Sequence, residues 1–508
     1  MRRITALYPN NKLFSECRII GKVDPFIDNI VYNSKLATKN SVFIAVKGLN
    51  VDGHTFIEEA INKGSVAIIH SSPLKFYNSD VLYLQHPNPK RLGSLIASLL
   101  AEKRPQTIIG VTGTDGKTST TDFLYQIVNK CGINCALLTT VEIDEGNGKK
   151  NNNFSQTTPE AVDIFNFLKN SKSNKIDAVV LEASSHGLSF DNSRLIDVPF
   201  SGAIYTNISS EHLDFHKTIE NYVDSKLNLA RQVVKGGFVV IPSDFTYTNE
   251  LKSTLDNSVS LYKYSLDSDT DDSYLIANTL KEGFGFREIS ISIPSENQSF
   301  NTVLSYGQKV YAQNFIGSLL ACRLQFKIPW EIIREKSSSI KKVRGRFEII
   351  KEVGSPTIVV DFAHTSVAFE EIFSHTRKYF QNSRIRAVFS AAGQRDRSKR
   401  PSMGFIAASW CDYIYLSDED PRSEDPNQIF SDIEKGISLA NSGCVIFKIH
   451  DRREAIKRAI AESSDEDVLL LLSKGHEQSI HYDGYDLEWD EKKVVKEILN
   501  AWGKQNGR

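Results

Sequence analysis

A glycine-rich segment followed by a lysine and two hydroxyl residues carries the strongest chemical signal in this 508-residue sequence. After the apolar stretch 108–112 it reads Gly113, Thr114, Asp115, Gly116, Lys117, Thr118 and Ser119. Glycines let backbone N–H groups approach phosphate oxygens, a helix N-terminus adds partial positive charge, and the lysine adds a full one. A hydroxyl at this spacing can reach Mg²⁺. We interpret the segment as a nucleotide-phosphate cradle, with a plain strand-to-helix turn as the alternative.

Polar side chains also follow two other apolar stretches in the middle of the chain. Glu182 and Ser184 follow the first, and Asn207 follows the second. Because ligands bind at the carboxyl ends of strands in open α/β sheets, we expect these groups beside the cradle. The segment 211–216 then holds two imidazoles and two carboxylates, His212 among them, and is either part of a metal site or an exposed polar loop.

Lys226 has an unusual position in the segment 219–235, which we predict to be an amphipathic helix. Apolar side chains recur along one face of this helix, and Lys226 falls on that face. The lysine either extends along the edge of the core to solvent or turns into the site. In the second case, desolvation favours its neutral, nucleophilic form.

The elements that would position these groups divide into three α/β units, at residues 1–105, 106–342 and 343–508. The first alternates short strands and helices and ends at a Lys-Arg-Pro break. The second carries the cradle on a parallel sheet and includes a strand-rich stretch at 276–313, with its last strand predicted at 309–311.

The third unit shows polar clusters where successive apolar stretches end. We expect its strands to end near Asp361, Ser390, Ser417 and His450, with a further strand at 467–472. This pattern predicts a doubly wound, Rossmann-like sheet. Charge clusters are often only solvated faces, but clusters at neighbouring strand ends converge, which favours a binding site. They lie at 361–364, 394–400 and 419–422.

Composition argues against several function classes. The formal net charge of −1 gives no general attraction to nucleic acid or to membranes. The six cysteines show no paired metal-binding spacing, and the first residues are not followed by a continuous apolar segment. Both features fit a reducing compartment and no export signal. No apolar run approaches the roughly 20 residues that cross a bilayer, so we expect a cytoplasmic protein without membrane insertion.

Together these motifs resemble the bacterial Mur ligase family over essentially the whole chain, and most closely its MurE type. That type adds the third amino acid to the UDP-N-acetylmuramoyl-dipeptide precursor of peptidoglycan. Seven blocks match the family in order: 52–54, 113–119, 157–159, 182–186, 206–207 with 212–216, 361–365, and 395–403 with 474–477. The resemblance implies a small N-terminal UDP-binding domain, a central P-loop ATPase-type domain and a C-terminal domain that binds the amino acid.

The resemblance implies an ATP-dependent ligase that forms a peptide bond through an acyl phosphate. The γ-phosphate would pass to the substrate carboxylate, and the amine of the incoming amino acid would then displace phosphate. Such transfer needs mainly positioning and charge neutralisation. The cradle would hold ATP together with Asn207, Arg346 and Asp361. Two Mg²⁺ sites are implied around Thr118, Glu182, His212 and Lys226, with Lys226 carbamylated by CO₂.

The same resemblance implies where the other two substrates bind. In the first unit, Ser34 and the 52–54 region would bind the UDP portion. The muramoyl-peptide would contact Thr157, Thr158, Ser184 and Arg194. The amino acid would contact Arg395, Glu419, Asp420, Arg422, Ser473 and Glu477. The partners are therefore UDP-N-acetylmuramoyl-dipeptide and a diamino acid, with no nucleic acid, and we expect a monomer.

The amino-acid end departs from the diaminopimelate-adding members of the family. Those members carry Asp-Asn-Pro-Arg where this chain has Glu419, Asp420, Pro421 and Arg422, and a glycine in place of Ser473. The charge of Asp420 should repel the distal carboxylate of diaminopimelate and favour a bare ammonium. Arg422 could still pair with that carboxylate. We expect a basic diamino acid, with lysine or ornithine favoured over meso-diaminopimelate.

Other departures concern the nucleotide contacts. Of the family's Asn-x-x-Asn pair near the adenine, we interpret the first as Asn314 and the second as replaced by Gly317. Phenylalanine replaces the family's tyrosine at 215 and 362, and Glu211 replaces an aspartate. The phosphate and metal residues are intact.

Two alternatives stay open. A folylpolyglutamate synthetase-like ligase would share the cradle and the acyl-phosphate chemistry, but it has no reason for a UDP-binding first domain. A nucleotide-gated binding protein without ligase activity would use the cradle as a switch. It would leave Glu182, His212 and Lys226 unexplained.

Overall fold

The computed structural model describes residues 2–7, 12–48, 51–154, 156–209, 211, 213–268 and 272–505. They form three large sheets, one after another along the chain and flanked by helices, and two small two-stranded pairs, which confirms the three-part α/β fold class expected from the sequence. Within these ranges, no helix combines the length and the apolar character that crossing a bilayer would need.

The first unit is a five-stranded sheet packed between short helices. Its strands are β1 (Arg2–Arg3), β2 (Arg18–Ile20), β3 (Phe26–Ile27), β4 (Asn29–Val31), β5 (Ser41–Ile44), β6 (Ser65–His70) and β7 (Leu82–Gln85), and its helices are α1 (Lys12–Ser15), α2 (Ile57–Asn62) and α3 (Pro89–Leu100). The five-stranded sheet has the order β2-β7-β6-β5-β4, in which only the pair of β2 and β7 is antiparallel, and β1 and β3 form a separate antiparallel pair. The Asn88 side chain accepts the Arg91 N–H and so caps α3, which begins with a proline.

The second unit is built on one long sheet. Its strands are β8 (Thr107–Thr112), β9 (Cys135–Leu138), β10 (Glu142–Asp144), β11 (Lys150–Asn151), β12 (Ala178–Glu182), β13 (Phe200–Tyr205), β14 (Val233–Pro242), β15 (Ser260–Leu266), β16 (Leu275–Gly283), β17 (Phe286–Ile293) and β18 (Gln298–Leu304). Its helices are α4 (Lys117–Lys130), α5 (Ala161–Ser173), α6 (Ser185–Leu188), α7 (Leu213–His216), α8 (Ile219–Arg231), α9 (Thr248–Thr254), α10 (Lys309–Phe326) and α11 (Trp330–Ser337).

The centre of this sheet places the site. The strand order is β11-β10-β9-β12-β8-β13-β14-β15-β16-β17-β18, parallel from β9 to β16 and antiparallel at both ends. Every residue of β12 is buried, as is typical of a parallel strand covered on both faces. Because β12, β8 and β13 are neighbours, Glu182, the cradle and Asn207 emerge at one edge, as expected from the sequence.

Two secondary-structure predictions for this unit were wrong in part. The expected helix 219–235 ends at Arg231, and Val233 begins β14, where it pairs with Phe200 of β13. The expected strand at 309–311 is the first turn of α10. A three-residue alternation of Lys, Val and Tyr cannot separate the two states, and α10 is buried on most sides, which leaves little periodicity to read.

The third unit is a doubly wound sheet. Its strands are β19 (Glu348–Ile350), β20 (Thr357–Val360), β21 (Ile385–Phe389), β22 (Tyr413–Leu416), β23 (Val445–Lys448) and β24 (Val468–Leu471), followed by the hairpin of β25 (Ser479–Tyr482) and β26 (Tyr485–Glu488). Its helices are α12 (Ser366–Tyr379), α13 (Lys399–Trp410), α14 (Pro426–Ala440), α15 (Arg452–Ala461) and α16 (Glu491–Gln505). The order β19-β20-β24-β21-β22-β23 is parallel from β20 to β23. The expected strand ends are confirmed.

A fully buried ion pair ties α15 and α16 to the end of this sheet. Arg452 Nη2 lies 2.6 Å from Glu491 Oε1, and both side chains are completely buried. The same nitrogen donates to Leu472 O at 2.8 Å, and Trp489 Nε1 donates to Glu491 Oε2 at 2.6 Å. Each charge therefore has hydrogen-bonded partners, as a buried ion requires.

Candidate active site

The backbone of the cradle is fixed by the segment that follows β13. Thr114 N donates to Asn207 O at 2.8 Å, and Asp115 N donates to Asn207 Oδ1 at 3.0 Å. Gly113 lies so close to this segment that a Cβ on it would be 1.8 Å from the hydroxyl oxygen of Thr206. Glycine is therefore required at position 113, because any side chain there would collide with the segment after β13. Asn207 fixes the conformation of the loop through its two hydrogen bonds.

Helix α10 supports the other side of the cradle. Gly116 has a φ of 81°, in the left-handed region that favours glycine, and a Cβ there would be 2.6 Å from Asn314 Oδ1. One turn further along both helices, Ser318 Oγ donates to Thr120 O at 3.0 Å. The start of α4, which carries Thr118 and Ser119, is therefore held against α10.

Two lysines converge on the carbonyl of Gly113. Lys117 Nζ donates to Gly113 O at 3.1 Å and to Thr114 O at 2.8 Å, while Lys226 Nζ donates to Gly113 O at 2.6 Å. Lys226 is only 1% exposed, and its Nζ lies over the Tyr222 ring, 4.6 Å from the centroid. Burial first, and the charge of Lys117 second, hold the pKa of Lys226 well below its usual value. The lysine thus turns inward to the cradle rather than out to solvent.

Glu182 lies at the end of β12, buried and held by one residue. Its Oε1 accepts the Thr140 N–H at 2.9 Å, and its Oε2 accepts the Thr140 hydroxyl at 3.1 Å. His212, which the resemblance places with Glu182 around Mg²⁺, lies outside the described residues. Within the described part of the chain, no three His, Cys, Asp or Glu side chains gather as a metal-binding group.

The third unit reaches the cradle through Arg346. Arg346 Nη2 donates to Thr118 Oγ1 at 3.3 Å, and its guanidinium lies over the Phe362 ring, 4.7 Å from the centroid. Asp361, at the end of β20, accepts the Ala363 N–H at 2.7 Å on one oxygen and the Phe347 N–H at 2.7 Å on the other. The structure therefore brings these two expected nucleotide contacts to the same cleft as the cradle.

A second contact between the two units involves Glu211. Its carboxylate lies 3.8 Å from His364 Nε2 and 4.0 Å from Lys399 Nζ. Burial, reinforced by the charge of Lys399, lowers the pKa of His364 to about 3. Burial, reinforced by Glu211, raises the pKa of Asp115. Charged groups of the second and third units thus face each other across the cleft.

The expected muramoyl-peptide contacts gather on the side facing the first unit. Arg194 Nη1 donates to Thr158 O at 2.8 Å, and Arg194 Nη2 pairs with Glu160 Oε1 at 2.5 Å. The Thr158 hydroxyl accepts the Ser184 N–H at 3.0 Å, and Thr157 is half-buried beside it. Within the described residues, the buried Arg194 Nε has no hydrogen-bond partner.

Ser34 lies apart from this group, inside the first unit. Its hydroxyl donates to Glu59 Oε2 at 2.6 Å, at the edge of α2. In the neighbouring 52–54 segment, Asp52 Oδ1 lies 2.6 Å from His54 Nδ1 and also accepts the His54 N–H. These contacts order the two segments.

The expected amino-acid end is a buried cluster of acidic side chains around one lysine. Lys474 Nζ lies 2.8 Å from Asp420 Oδ1 and 2.6 Å from Glu477 Oε2. Burial alone would lower the pKa of Lys474, but Glu477, Asp420 and Glu419 outweigh it and raise that pKa. Burial raises the pKa of Glu419 to about 8, against the opposing charge of Lys474. Asp420 therefore faces Lys474, and it also accepts the His481 N–H at 3.0 Å.

The remaining residues at this end differ in exposure. Arg422 has a left-handed φ of 55° and lines an open depression of about 460 Å³ with Tyr482 and Tyr485. Ser473 is fully buried and donates to Ser390 O at 3.1 Å. Arg395 is exposed, on the loop before α13.

The interpretation of Gly317 as a replaced adenine contact does not fit the structure. Gly317 faces the core, where a Cβ would be 3.1 Å from the Tyr264 ring. Tyr311, one turn before Asn314, faces the cleft instead, and its hydroxyl donates to Asp361 Oδ2 at 3.1 Å. Sequence reasoning missed Tyr311 because 309–311 was predicted as a strand, whereas α10 begins at Lys309 and so places Tyr311 three residues before Asn314 on the same helix.

Three family models match the chain in succession. They are the Mur ligase family, catalytic domain, at residues 26–96, the Mur ligase middle domain at 111–322, and the Mur ligase, glutamate ligase domain at 345–475. The chain is 35% identical over 491 residues to the UDP-N-acetylmuramyl-tripeptide synthetase of Borreliella burgdorferi, with 94% of each chain covered. It is 31% identical over 487 residues to the UDP-N-acetylmuramoyl-L-alanyl-D-glutamate--2,6-diaminopimelate ligase of Clostridium tetani, covering 94% of this chain and 96% of that one.

Solved structures show the same arrangement of elements. A UDP-N-acetylmuramoyl-L-alanyl-D-glutamate--2,6-diaminopimelate ligase matches with a TM-score of 0.66 and 25% identity, over 99% of each chain. The MurF ligase of Thermotoga maritima in complex with ADP matches with a TM-score of 0.64 and 20% identity, over 94% of this chain and 98% of that one. At this identity the second likeness concerns the fold alone.

Proposed function

The chain belongs to the Mur ligase family of ATP-dependent, peptide-bond-forming ligases, and from this premise we propose that it adds the third amino acid to UDP-N-acetylmuramoyl-L-alanyl-D-glutamate in peptidoglycan synthesis. The γ-phosphate of ATP passes to a free carboxylate of the dipeptide, and the amine of the incoming amino acid then displaces phosphate from the acyl phosphate.

The observation that carries this proposal is the convergence of three basic side chains at the cradle. Lys117 and Lys226 both reach the carbonyl of Gly113, and Arg346 reaches Thr118 from the third unit. A simple nucleotide switch needs Lys117 but has no use for a buried second lysine. A phosphoryl transfer between two substrates needs charge neutralisation from several sides, which Lys117 and Arg346 supply directly and which a metal held through Lys226 would supply.

Two Mg²⁺ ions and a carbamate on Lys226 complete the proposed site. The buried amine of Lys226, with its lowered pKa, is suited to attack CO₂, which forms a N–C bond and releases one proton. The resulting carboxylate, with Thr118, Glu182 and His212, would hold the metal, and bound Mg²⁺ would neutralise phosphate charge. A hydroxyl and carboxylate oxygens are the ligands that Mg²⁺ prefers.

The muramoyl-peptide is proposed to bind between the first and second units. Arg194 presents a buried guanidinium beside Thr158 and Ser184, and its Nε is left for an added acceptor. A carboxylate of the dipeptide is the chemistry that such a group receives. Ser34 is proposed to contact the UDP portion. We also propose that the protein is cytoplasmic and works as a monomer. Light scattering on the purified chain would test the oligomeric state.

The amino acid is proposed to be a diamino acid, with lysine or ornithine favoured over meso-diaminopimelate. Three carboxyl groups surround Lys474, so the cluster formed by Glu419, Asp420 and Glu477 has an excess of acidic groups. Such a cluster attracts an ammonium and repels a second carboxylate. The positive charge of Arg422, on the open side of the same region, would instead attract a distal carboxylate.

The test is an assay of phosphate release and of product mass with ATP, Mg²⁺, the UDP-muramoyl-dipeptide and each of lysine, ornithine and meso-diaminopimelate. Wild-type protein should release phosphate only when the dipeptide and an amino acid are both present, and Lys117→Met should abolish release. ATP binding without substrate-dependent release would support the binding-protein alternative. Release with a folate and glutamate instead would support the folylpolyglutamate alternative. A clear preference for meso-diaminopimelate would overturn the charge argument.

A further inference from the structure

A buried tyrosine connects the second unit to the third at the edge of the cleft. Tyr311 lies in the first turn of α10 and is 9% exposed. Its ring stacks on Tyr306, with centroids 4.1 Å apart and planes at 19°. Its hydroxyl donates to Asp361 Oδ2 at 3.1 Å, so it joins a helix of the second unit to a strand end of the third.

The oxygen of Asp361 that accepts this hydrogen bond has a second task. It also accepts the Phe347 N–H at 2.7 Å. Phe347 is fully buried and has a φ of 46°. This left-handed backbone conformation costs free energy for residues other than glycine. Such a conformation persists only where surrounding contacts fix it, and Asp361 supplies one of them.

The residue before Phe347 is Arg346, whose guanidinium meets the cradle. Its Nη2 reaches Thr118 Oγ1 at 3.3 Å, at the start of α4. A change in the backbone at Phe347 would turn Arg346, because the two residues share a peptide bond. The orientation of Arg346 therefore depends on the hydrogen bond between Asp361 and the Phe347 N–H, and through Asp361 on the Tyr311 hydroxyl.

We propose that Tyr311 is a positioning residue for the ligase reaction: its hydroxyl fixes Asp361, which holds the backbone of Phe347 and so aims Arg346 at the phosphate cradle. This inference rests on the proposed function for its kinetic consequences, whereas its structural step can be tested without catalysis. Tyr311 itself is not placed in contact with any substrate.

Tyr311→Phe removes the hydroxyl and keeps the ring that stacks on Tyr306. Tyr379→Phe is the matched control, because the buried Tyr379 hydroxyl has no hydrogen-bond partner within the described residues. A hydrogen bond to a charged group corresponds to a factor of about ten to a hundred in an equilibrium. We therefore expect Tyr311→Phe to lower kcat by about tenfold or more, with the KM for the UDP-muramoyl-dipeptide within about twofold of wild type, and Tyr379→Phe to match wild type.

A double-mutant cycle with Arg346→Lys identifies the route of the effect. If Tyr311 acts through Arg346, adding Tyr311→Phe to Arg346→Lys should cost less than about threefold more in kcat. A full additional tenfold loss in the double variant, or an unchanged kcat in Tyr311→Phe, would overturn the proposal.

Hydrogen–deuterium exchange separates this inference from the proposed function. In Tyr311→Phe the peptide containing Phe347 should exchange at least about tenfold faster than in wild type or Tyr379→Phe, whether or not ligase activity is found. Unchanged exchange would refute the positioning step even if the ligase assay succeeds. Should Tyr311→Phe fail to fold, Asp361→Asn, which alters the acceptor, must give the same faster exchange at Phe347.

Discussion

Replacing Lys226 by methionine separates a structural lysine from a functional one, because methionine is similar in length and apolar. Two effects on stability oppose each other. The pKa of Lys226 in the folded protein lies below its ordinary value of 10.5, so between these two pH values the unfolded chain binds more protons than the folded one. The free energy of unfolding therefore decreases as pH falls from about 10.5 toward the folded pKa. The substitution removes this loss, but it also removes the donor to Gly113 O at 2.6 Å, at a cost of about 1–3 kcal/mol.

We therefore expect the free energy of unfolding of Lys226→Met to lie within about 2 kcal/mol of wild type at neutral pH. Activity should respond very differently. Loss of one preorganised group that stabilises transition-state charge lowers kcat by about 10²–10³-fold. Phosphate release measures the activity, and thermal melting followed by circular dichroism measures the stability. Lys169→Met, at an exposed position of α5, controls for the change from lysine to methionine itself.

The carbamate role adds a dependence that a plain core lysine lacks. Wild-type activity should fall in CO₂-free buffer and recover when bicarbonate is added. A folded Lys226→Met protein that keeps more than about a tenth of the wild-type kcat would refute the catalytic role of Lys226, since such a loss is far below the expected magnitude.

Two further substitutions test the third unit. Glu491→Gln leaves Arg452 buried without its countercharge, so it should lower the free energy of unfolding, measured in urea, by about 3–5 kcal/mol. Glu488→Gln, at an exposed position, is the control and should change the free energy of unfolding little. A loss below about 1 kcal/mol in Glu491→Gln would contradict the stabilising role of this ion pair. Glu419 has a folded pKa of about 8, above its ordinary 4.5, so in the free protein its contribution to stability is present below about pH 4.5 and lost as pH rises through about 8. An ammonium ligand prefers the ionised carboxylate, so the KM for the diamino acid should fall between pH 7 and 9, and Glu419→Gln should flatten that profile; identical profiles would exclude Glu419 as the titrating group.

Much of the site could be predicted because the chemistry lies at strand ends. The apolar stretches before Glu182, Asn207 and Asp361 are short and bounded by polar residues, and parallel strands bring such ends to one edge. Lys226 could be predicted because a charged residue on the apolar face of a helix must either reach solvent or enter a site. These inferences need only local pattern and one rule of topology.

The contacts between units could not be predicted in this way. Asp420 and Lys474 are 54 residues apart, and nothing in either segment indicates that they pair. The hydrogen bond from Tyr311 to Asp361 depends on α10 and β20 meeting across a unit boundary. Local periodicity carries no information on such packing, and for 309–311 it also favoured the wrong element.

The pairing of Asp420 changes the basis on which the amino-acid choice is argued. The sequence predicts that Asp420 discriminates between the diamino acids, because its charge is expected to face the distal end of the ligand. In the structure that charge lies 2.8 Å from Lys474 and is largely compensated by it. Within the described residues, Glu419 Oε2 is buried without a hydrogen-bond partner. An added ammonium would stabilise the ionised form of such an unpaired buried carboxyl group far more than that of a paired one, so Glu419 is the stronger candidate for selecting a cationic side chain.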